Sequence, residues 1–363
     1  MNKEKICINT NNSTIDIKDN CFDIIRIFCT FTVFLGHFLT HFDVDNKVLY
    51  GMAYFIRGVP VFFFLSGLFI AASLEKYNTK DFFWHRCIRI FPELWVCVLI
   101  NLIIILFVMQ GKYNVKDIVV YLITQLTVFQ FYTGDWLREY GVGVPNGALW
   151  TITVDIQFYI AAVLLAKFLK KQRISIWGIV IVLSVIIDWM LGWASERFPE
   201  IISKLIRCNL LPYIWIFLIG MCVYYHRYTV IPFFVKYKWG FALGYILWTY
   251  CVPINIVSFF EGIRYNIVTT LIMVSFAIGI GFSYKCRMSQ DYSYSFYLYH
   301  MVVINFIIHN IYDKFDSTIQ FIYTFITTIM VIGVCSVLSH RYVSGSFSKR
   351  IENVIFRYRG ENE

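Results

Sequence analysis

Two polar residues, Arg26 and His37, interrupt an apolar run at 22–41. They are eleven positions apart, which on a helix amounts to three turns plus roughly 20°, so their side chains point the same way, about 16 Å apart along the axis. Asp23 lies one turn before Arg26 and is placed to pair with it. Polar groups at membrane depth are costly, and each one needs a reason. On spacing alone the alternative stays open that Arg26 reaches the inner headgroups and His37 is a packing histidine.

A carboxylate, Asp155, interrupts another apolar run, at 147–167. Counting 1.5 Å per residue from the helix ends places Asp155 about 12 Å and His37 about 8 Å below the outer surface of a ~30 Å hydrocarbon core. The two side chains can therefore meet in the outer half of the membrane, where a carboxylate would orient the imidazole and raise its basicity. A buried Asp also needs such a partner, since alone it would take up a proton. We predict that Asp155 pairs with His37.

Two arginines, Arg86 and Arg89, lie one helical turn apart at the predicted cytoplasmic end of the run 88–109. Two guanidinium groups on one face of a helix suit phosphate oxygens. Lys76 and Lys80 would reinforce a positive inner mouth there. An ordinary basic flank at the inner membrane surface is the simpler alternative.

The run 293–312 opens with the polar segment SYSFYLYH, which ends at His300. Its hydroxyl groups and His300 are expected in the cytoplasmic half of the membrane, about 10 Å from the inner surface. Aromatic residues also belong at membrane interfaces, so a purely structural role for this segment stays open.

The composition decides which class of protein must position these residues. Only 15% of the 363 residues are charged, 58% are hydrophobic and 19% are aromatic, and the mean hydropathy is +0.63. An ordinary soluble domain has roughly 25% charged and 45–50% apolar residues, so most of this surface must face lipid. A soluble enzyme, a disordered chain and a disulfide scaffold are excluded. No CxxC or Cys/His cluster occurs in the sequence, so we predict no metal site.

Ten apolar stretches are long enough to cross about 30 Å of hydrocarbon as helices. An eleventh, 118–132, is short and carries Gln125 and Gln130. If 118–132 does not cross the membrane, about two thirds of the 32 Lys and Arg residues lie on the same side of the membrane as both termini. This is the distribution that the positive-inside bias requires if that side is the cytoplasm. We therefore predict an all-α, polytopic transmembrane helical bundle of about ten spans, with both termini cytoplasmic and a re-entrant or interfacial segment near 118–132. The predicted spans are 22–41, 51–74, 88–109, 147–167, 174–193, 209–226, 237–254, 266–284, 293–312 and 319–339.

No internal repeat, low-complexity tract or long linker divides the sequence. We predict one transmembrane domain at 22–340, between a cytoplasmic N-terminal segment at 1–21 and a basic cytoplasmic tail at 341–363. Residues 1–20 are polar and lack the basic start and apolar core of a cleavable signal peptide. The net charge of +9 is explained by these inner flanks, so nucleic acid is not a predicted partner.

Together these residues resemble the acyltransferase 3 family of integral membrane acyltransferases. The resemblance rests on Arg26 and His37 and on five further motifs in a fixed order: GVPVFFFLSGLFI from position 58, RxxRIFP from 86, the segment 149–159, FLIG from 217 and SYSFYLYH from 293. Two positions depart from the family, because Thr151 stands where Ser is usual and Asp155 where Glu is usual. Asp is one methylene shorter than Glu, which reduces its reach toward His37.

The resemblance implies transfer of an acyl group, most often acetyl, from cytoplasmic acyl-CoA to a hydroxyl of a cell-surface or lipid-linked glycan. A thioester already carries a good leaving group, so the enzyme must supply a base for the acceptor hydroxyl; His37 is expected to be that base or a transient acyl carrier. The implied location is the bacterial cytoplasmic membrane. We therefore predict His37, Arg26 and Asp155 as catalytic, Arg86 and Arg89 as donor-binding, and Trp150, Tyr159, Tyr297 and His300 as substrate-binding.

Two other classes of protein fit part of the pattern. A transporter or flippase of a glycan precursor would use His37 and Asp155 as a proton relay, but deep acidic residues are few and no transporter-like repeat occurs. A non-catalytic membrane partner of a glycan assembly machine would have no use for a costly Arg/His pair.

Overall fold

The structure is a computed structural model that describes residues 17, 19–286, 288–310, 315 and 317–348. These residues are largely helical, and the one strand-like feature among them is an isolated bridge between Glu261 and Asn266. Helices follow from the apolar runs because backbone groups in lipid must find their hydrogen bonds within the segment. The all-α prediction is confirmed. Most of the predicted N-terminal segment and tail, at 1–16, 18 and 349–363, lies outside the described residues.

The described residues form fourteen α-helices, two short 3₁₀ turns and a π-helical segment. The 3₁₀ turns are Asp135–Leu137 and Ser195–Arg197, and the π-helical segment is His340–Ser348. The α-helices are α1 (Phe22–His41), α2 (Lys47–Phe55), α3 (Gly58–Lys76), α4 (Thr79–Val108), α5 (Val115–Gln125), α6 (Trp150–Leu169), α7 (Ile174–Ala194), α8 (Glu200–Arg207), α9 (Ile214–Tyr225), α10 (Arg227–Cys251), α11 (Ile254–Phe259), α12 (Ile267–Gly281), α13 (Ser293–Asn310) and α14 (Thr318–Ser339).

Several of these helices are long and apolar enough to cross a membrane. Among the described residues six segments qualify, and α9 with α10 would make a seventh although the two are bent by 109°. Each of the ten predicted spans overlaps a helix, so the polytopic architecture is confirmed. The count of ten and the cytoplasmic termini stay predictions. The six segments are Phe22–His41, Lys47–Lys76, Thr79–Val108, Trp150–Leu169, Ile174–Ala194 and Thr318–Gly345.

The segment predicted not to cross, 118–132, contains most of α5 and the turns that follow it. α5 has eleven residues and is about 16 Å long, which is too short for a ~30 Å core. The two glutamines that marked this segment are buried. The Gln125 amide donates to a backbone carbonyl oxygen of the following turn, and Gln130 Oε1 accepts from the Thr153 hydroxyl at 2.9 Å.

The described part of the chain divides into two compact units, and the first contains the described residues of Met1–Cys29, Ile56–Asn78 and Val154–Gln290. Its closest helix contact joins α3 to α9. A Cβ at Gly67 would lie 2.0 Å from the Phe217 carbonyl oxygen, and a Cβ at Gly220 would lie 2.1 Å from the Phe64 carbonyl oxygen. Only glycine allows two backbones this near, as in many membrane helix pairs. Two of the sequence motifs, FFFLSG and FLIG, therefore form one packing site.

The second unit contains Thr30–Phe55, Thr79–Thr153 and the described residues of Asp291–Glu363. Its interior holds an aromatic cluster in which Phe34 of α1 packs against Phe38, Phe296 and Phe325, with ring centroids 5.7–5.8 Å apart. The cluster joins α1, α13 and α14, and aromatic pairs at these distances add about 0.5–1.5 kcal/mol each beyond their buried area. Because His37 lies between Phe34 and Phe38 in sequence, the cluster fixes the turn of α1 that carries it.

Candidate active site

Two histidines, His37 of α1 and His300 of α13, are hydrogen-bonded to each other in the second unit. Nδ1 of His37 lies 2.8 Å from Nε2 of His300, and the two ring planes are within 10° of parallel. His300 is completely buried. Its other ring nitrogen, Nδ1, lies 2.7 Å from the backbone carbonyl oxygen of Tyr297. The pair is thus the middle of a chain of hydrogen bonds that starts at the backbone.

This chain of bonds defines which nitrogen carries each proton. A carbonyl oxygen can only accept, so Nδ1 of His300 carries its proton. Nε2 of a neutral His300 is then the acceptor for the Nδ1–H of His37. A neutral His37 is left with its lone pair on Nε2. That tautomer is the one a general base needs, and when His37 takes up a proton the bond to His300 becomes charge-assisted and stronger.

The His37–His300 contact was not anticipated from helix depth. Counted along their helices, His37 is about 22 Å from the start of α1 and His300 about 10 Å from the start of α13. The Tyr294 hydroxyl donates to the Ile90 carbonyl oxygen at 3.0 Å, and Ile90 is about 16 Å along α4. The start of an apolar run is therefore a poor measure of depth in this bundle.

Tyr297 turns its hydroxyl toward the start of α6. It donates to the Ala148 carbonyl oxygen at 2.9 Å and lies 2.8 Å from the Thr151 hydroxyl. Thr151, at a family position where Ser is usual, therefore keeps a hydroxyl in contact with the helix that carries His300. Trp150 is the first residue of α6 and is half-buried. The structure thus brings Thr151, Tyr297 and His300 together in one unit.

The loop before α6 is held by three buried asparagines, which the sequence analysis missed. Asn305 accepts from the Val142 N–H at 3.0 Å and donates to the Pro145 carbonyl oxygen at 3.0 Å. Asn101 donates to the same Pro145 oxygen at 3.1 Å, and Asn146 donates to the Leu298 carbonyl oxygen at 2.9 Å. All three are at most 3% exposed. Buried backbone groups of a loop need such partners, and an amide inside an apolar run was the signal for them.

Asp155 of α6 lies in the first unit, where two hydroxyls hold its carboxylate. The Tyr159 hydroxyl donates to Oδ2 at 2.9 Å, and the Ser66 hydroxyl of α3 donates to Oδ1. Tyr159 is therefore beside Asp155, one turn along the same helix. Ser66 was not singled out, although it belongs to the same FFFLSG motif as Gly67. The predicted pairing of Asp155 with His37 stays a prediction.

Arg26 forms the predicted ion pair. Its Nη1 lies 3.0 Å from Oδ1 of Asp23, and the guanidinium carbon lies 4.7 Å from the centroid of the Phe69 ring. The second carboxylate oxygen of Asp23 accepts from the Met288 N–H at 3.2 Å. These contacts fix the start of α1 within the first unit. The charge of Arg26 is partly balanced by Asp23 and partly supported by the face of the ring.

The two arginines of the RxxR motif differ in environment. Arg86 is buried, with its guanidinium carbon 5.6 Å from the centroid of the Phe82 ring, whereas Arg89 is exposed. The pair on one face of α4 thus consists of one arginine inside the protein and one at its surface. The predicted binding of donor phosphates by Arg86 and Arg89 stays a prediction.

A buried carboxylate, Glu93, lies two turns after Arg86 and was also missed. It is 2% exposed and accepts hydroxyl hydrogen bonds from Ser295, from Ser339 at 2.9 Å and from Ser344 at 2.6 Å. These serines belong to α13, to the end of α14 and to the π-helical segment. A buried carboxylate is acceptable only when its oxygens are well bonded, and this one is. Glu93 therefore organises the junction of α4, α13 and the C-terminal helices.

No group of three or more His, Cys, Asp or Glu side chains within the described ranges could hold a metal ion. The arrangement in the second unit instead offers an oriented imidazole, and that in the first offers a carboxylate and a paired arginine. An oriented histidine inside a multi-pass membrane protein suits proton transfer to or from a hydroxyl. The fold and these residues thus define the class: a multi-pass membrane protein with a histidine oriented for proton transfer.

The comparisons with known proteins agree with this class. The chain belongs to the acyltransferase 3 family, whose model, described as an acyltransferase domain, matches residues 19–340. The chain is therefore an acyltransferase and a multi-pass membrane protein, which decides against the transporter alternative. The resemblance inferred from the motifs is confirmed.

Two relatives have similar lengths. Nodulation protein 10 of Rhizobium leguminosarum bv. viciae is 24% identical over 312 residues, covering 80% of this chain and 84% of the relative. An O-acetyl transferase of Shigella phage Sf6 is 25% identical over 309 residues, covering 82% of this chain and 88% of the relative. No solved structure matches the chain significantly.

Proposed function

We propose that this protein is an O-acetyltransferase that moves acetyl from cytoplasmic acyl-CoA to a hydroxyl of a cell-surface or lipid-linked glycan. Its location would be the bacterial cytoplasmic membrane. Family membership supports acyl transfer, and the relative named as an O-acetyl transferase supports acetyl as the group and oxygen as the accepting atom. The single observation that carries the proposal is the bond between His37 and His300, because it leaves a lone pair on His37 Nε2.

In the proposed reaction His37 acts first. Its Nε2 removes the proton from the acceptor hydroxyl, and the resulting imidazolium is stabilised through Nδ1–H by His300. The hydroxyl oxygen then forms an ester bond to the acyl carbon while the carbon–sulfur bond of the thioester breaks. The proton held by His37 is available for the departing thiolate. Tyr297 contributes indirectly, because its backbone carbonyl oxygen accepts a hydrogen bond from His300 and so fixes the orientation of that ring.

The donor supplies an activated acyl group and several phosphate charges. Arg86 and Arg89 are the residues proposed to hold those phosphates, since a guanidinium donates two parallel hydrogen bonds to phosphate oxygens. The chemistry of this donor set fits the ligand, because Arg89 is exposed and Arg86 adds a second positive charge from within. Arg26 and Asp155 remain proposed catalytic residues on the strength of the family resemblance. Trp150 and Tyr159 remain proposed substrate-binding residues.

The test is a transfer assay on membranes that contain the full chain. Labelled acetyl-CoA is supplied, and label in the glycan fraction is counted together with release of the thiol. His37→Ala should lower transfer by about 10²–10⁴-fold, the usual contribution of a general base. His41→Ala, one turn along the same helix, is the matched control and should retain transfer. Transfer by His37→Ala within about tenfold of the parent would remove His37 as the base.

The same assay separates a base from a covalent carrier. A carrier gives ping-pong kinetics and an acylated enzyme that can be isolated after brief incubation with labelled donor. We expect no label on His37 while transfer proceeds. Comparing the glycans of cells with and without the protein by mass, for the increment of one acetyl group, identifies the acceptor.

A further inference from the structure

The short helix α8 of the first unit is amphipathic, with its polar and apolar side chains on opposite faces. At about 100° per residue, its polar side chains fall within one arc of about 100° and its apolar side chains within the opposite arc of about 140°. The polar face consists of Glu200, Ser203, Lys204 and Arg207, and the apolar face consists of Ile201, Ile202, Leu205 and Ile206. This pattern is typical of a helix that lies between an apolar medium and water.

The apolar face of α8 is not covered by the protein. All eight residues of α8 are described, and none of them is buried. Ile201 is 70% exposed, Leu205 is 50% exposed and Ile202 is 42% exposed. An isolated helix shorter than about 12–15 residues is only marginally stable in water, because a few hydrogen bonds do not offset the cost of nucleation. A helix as short as α8 therefore needs an apolar surface outside the chain on which to bury these side chains.

The middle of α8 lies at the end of a membrane-crossing helix. α7 is long and apolar enough to cross a membrane and ends at Ala194. The Ser203 hydroxyl donates to the backbone carbonyl oxygen of the next residue, Ser195, at 3.2 Å. At the same end of α7, Trp193 is 65% exposed, and the guanidinium carbon of Arg197 lies 4.0 Å from the centroid of its ring. An exposed tryptophan beside a basic residue is typical of the headgroup level of a membrane, so α8 lies at that level.

The end of α8 is attached to a second membrane-crossing helix, α6. The Gln157 amide donates to the Cys208 carbonyl oxygen at 2.9 Å, and its oxygen accepts from the Leu210 N–H at 2.9 Å. Gln157 is about 10 Å along α6, two residues after Asp155. The chain that leaves α8 therefore runs beside the body of α6 and does not extend beyond its end, which keeps α8 against the bundle.

We propose that α8 is an interfacial membrane helix and that the partner of its apolar face is the lipid surface. Ile201, Ile202 and Leu205 enter the acyl-chain region, and the polar face meets the headgroups and water. Lys204 Nζ lies 2.6 Å from Glu200 Oε1, so the polar face carries its own counter-charge and zwitterionic lipid is sufficient. The predicted topology places α8 in the outer leaflet. This surface is separate from the proposed reaction and does not depend on the donor or the acceptor.

The test places a nitroxide at Leu205 or at Arg207, whose side chains point about 160° apart on α8. The full chain is reconstituted in phosphatidylcholine nanodiscs, and the label is attached to a genetically encoded keto amino acid so that the ten cysteines are kept. Collisions are measured with oxygen, which dissolves in acyl chains, and with an uncharged nickel chelate, which stays in water. The oxygen-to-nickel collision ratio should be at least about fivefold higher at Leu205 than at Arg207. Val182 of α7, which is 56% exposed, is the lipid reference, and exposed Lys171 is the water reference.

A second measurement uses hydrogen exchange of the α8 amides in the same nanodiscs. Leu205→Asp should speed this exchange by at least about tenfold, because a carboxylate does not enter the acyl chains and a helix this short is not stable in water. Lys204→Gln is the matched control on the polar face, and its exchange should equal that of the parent. The unfolding temperature of each variant is measured in parallel, so that a local change in α8 is separated from global destabilisation.

Each outcome decides the inference. Collision ratios at Leu205 and Arg207 that both match Lys171 would show that α8 lies in water, and this overturns it. Poor access of both reagents to Leu205 would show that protein covers the face, which also overturns it; dipolar broadening that is lost on dilution with unlabelled chain would identify a second copy as the cover. Unchanged exchange in folded Leu205→Asp is the third contradicting result. The His37 test of acyl transfer concerns other residues, so failure of either proposal leaves the other standing.

Discussion

His300 provides the sharpest test of the proposed chemistry, because in the proposed reaction it acts through His37. In His300→Phe the ring volume is nearly kept, but the acceptor 2.8 Å from His37 Nδ1 is lost. That hydrogen bond becomes charge-assisted when His37 takes up a proton, and such bonds contribute about 1.5–3 kcal/mol. At about 1.4 kcal/mol per factor of ten, kcat should fall by roughly 10–150-fold. The acceptor KM should change little, because the stronger bond exists only after proton transfer begins.

The conservative variant and a matched control complete the design. In His300→Gln the side-chain oxygen can reach the place of Nε2 and accept from His37, so kcat should recover at least in part. His309→Gln, on the same helix, should retain parent kcat. All variants are assayed as purified full chain with labelled acetyl-CoA, and their unfolding temperatures are measured in parallel. The reasoning is refuted if His300→Phe retains kcat within threefold of the parent, or if only KM changes, or if folded His300→Gln is as slow as His300→Phe.

Three further outcomes are expected, each measured on detergent-solubilised protein. Gly67→Ala should lower the unfolding temperature, because its Cβ would lie 2.0 Å from a carbonyl oxygen and would force α3 and α9 apart by more than 1 Å, at a cost of about 1–3 kcal/mol. Gly178→Ala is the control and should not lower it, because nothing lies within 4 Å of a Cβ at that position. Glu93→Gln should destabilise by about 1–3 kcal/mol, because an amide nitrogen replaces one of two oxygens that accept three hydroxyls, whereas exposed Glu139→Gln should leave the unfolding temperature unchanged. Asp155→Asn keeps the shape of the side chain but removes its charge. A fall in transfer of at least tenfold in the folded variant would support a catalytic role for that charge, and transfer within twofold of the parent would contradict it.

The helical architecture was predictable because hydropathy alone requires it. Each predicted span overlaps a helix, and 118–132 was set apart by the placement of basic residues, a signal that does not depend on tertiary contacts. The family resemblance was likewise accessible, since motifs such as RxxRIFP are local in sequence. The ion pair of Arg26 with Asp23 followed from helical spacing.

The partner of His37 was less accessible. Residue counts from the start of each apolar run put His37 and His300 at different depths, yet their rings are hydrogen-bonded to each other. The packing role of Gly220 in the FLIG motif could not be predicted from the sequence either, because it depends on which helix packs against it. Tertiary placement of a helix end is a long-range property, and one sequence carries no direct signal for it.

The stretch between Arg138 and Leu149 contains no regular helix, yet hydrogen bonds from three asparagine side chains hold it in place. The Val142 amide hydrogen, which donates to Asn305 Oδ1, should therefore exchange slowly with solvent, and proteases should cut elsewhere first. Hydrogen-exchange mapping should show this protection despite the irregular path of the backbone. Insertions there would disturb the start of α6, so we expect natural variation in length to be found in other loops.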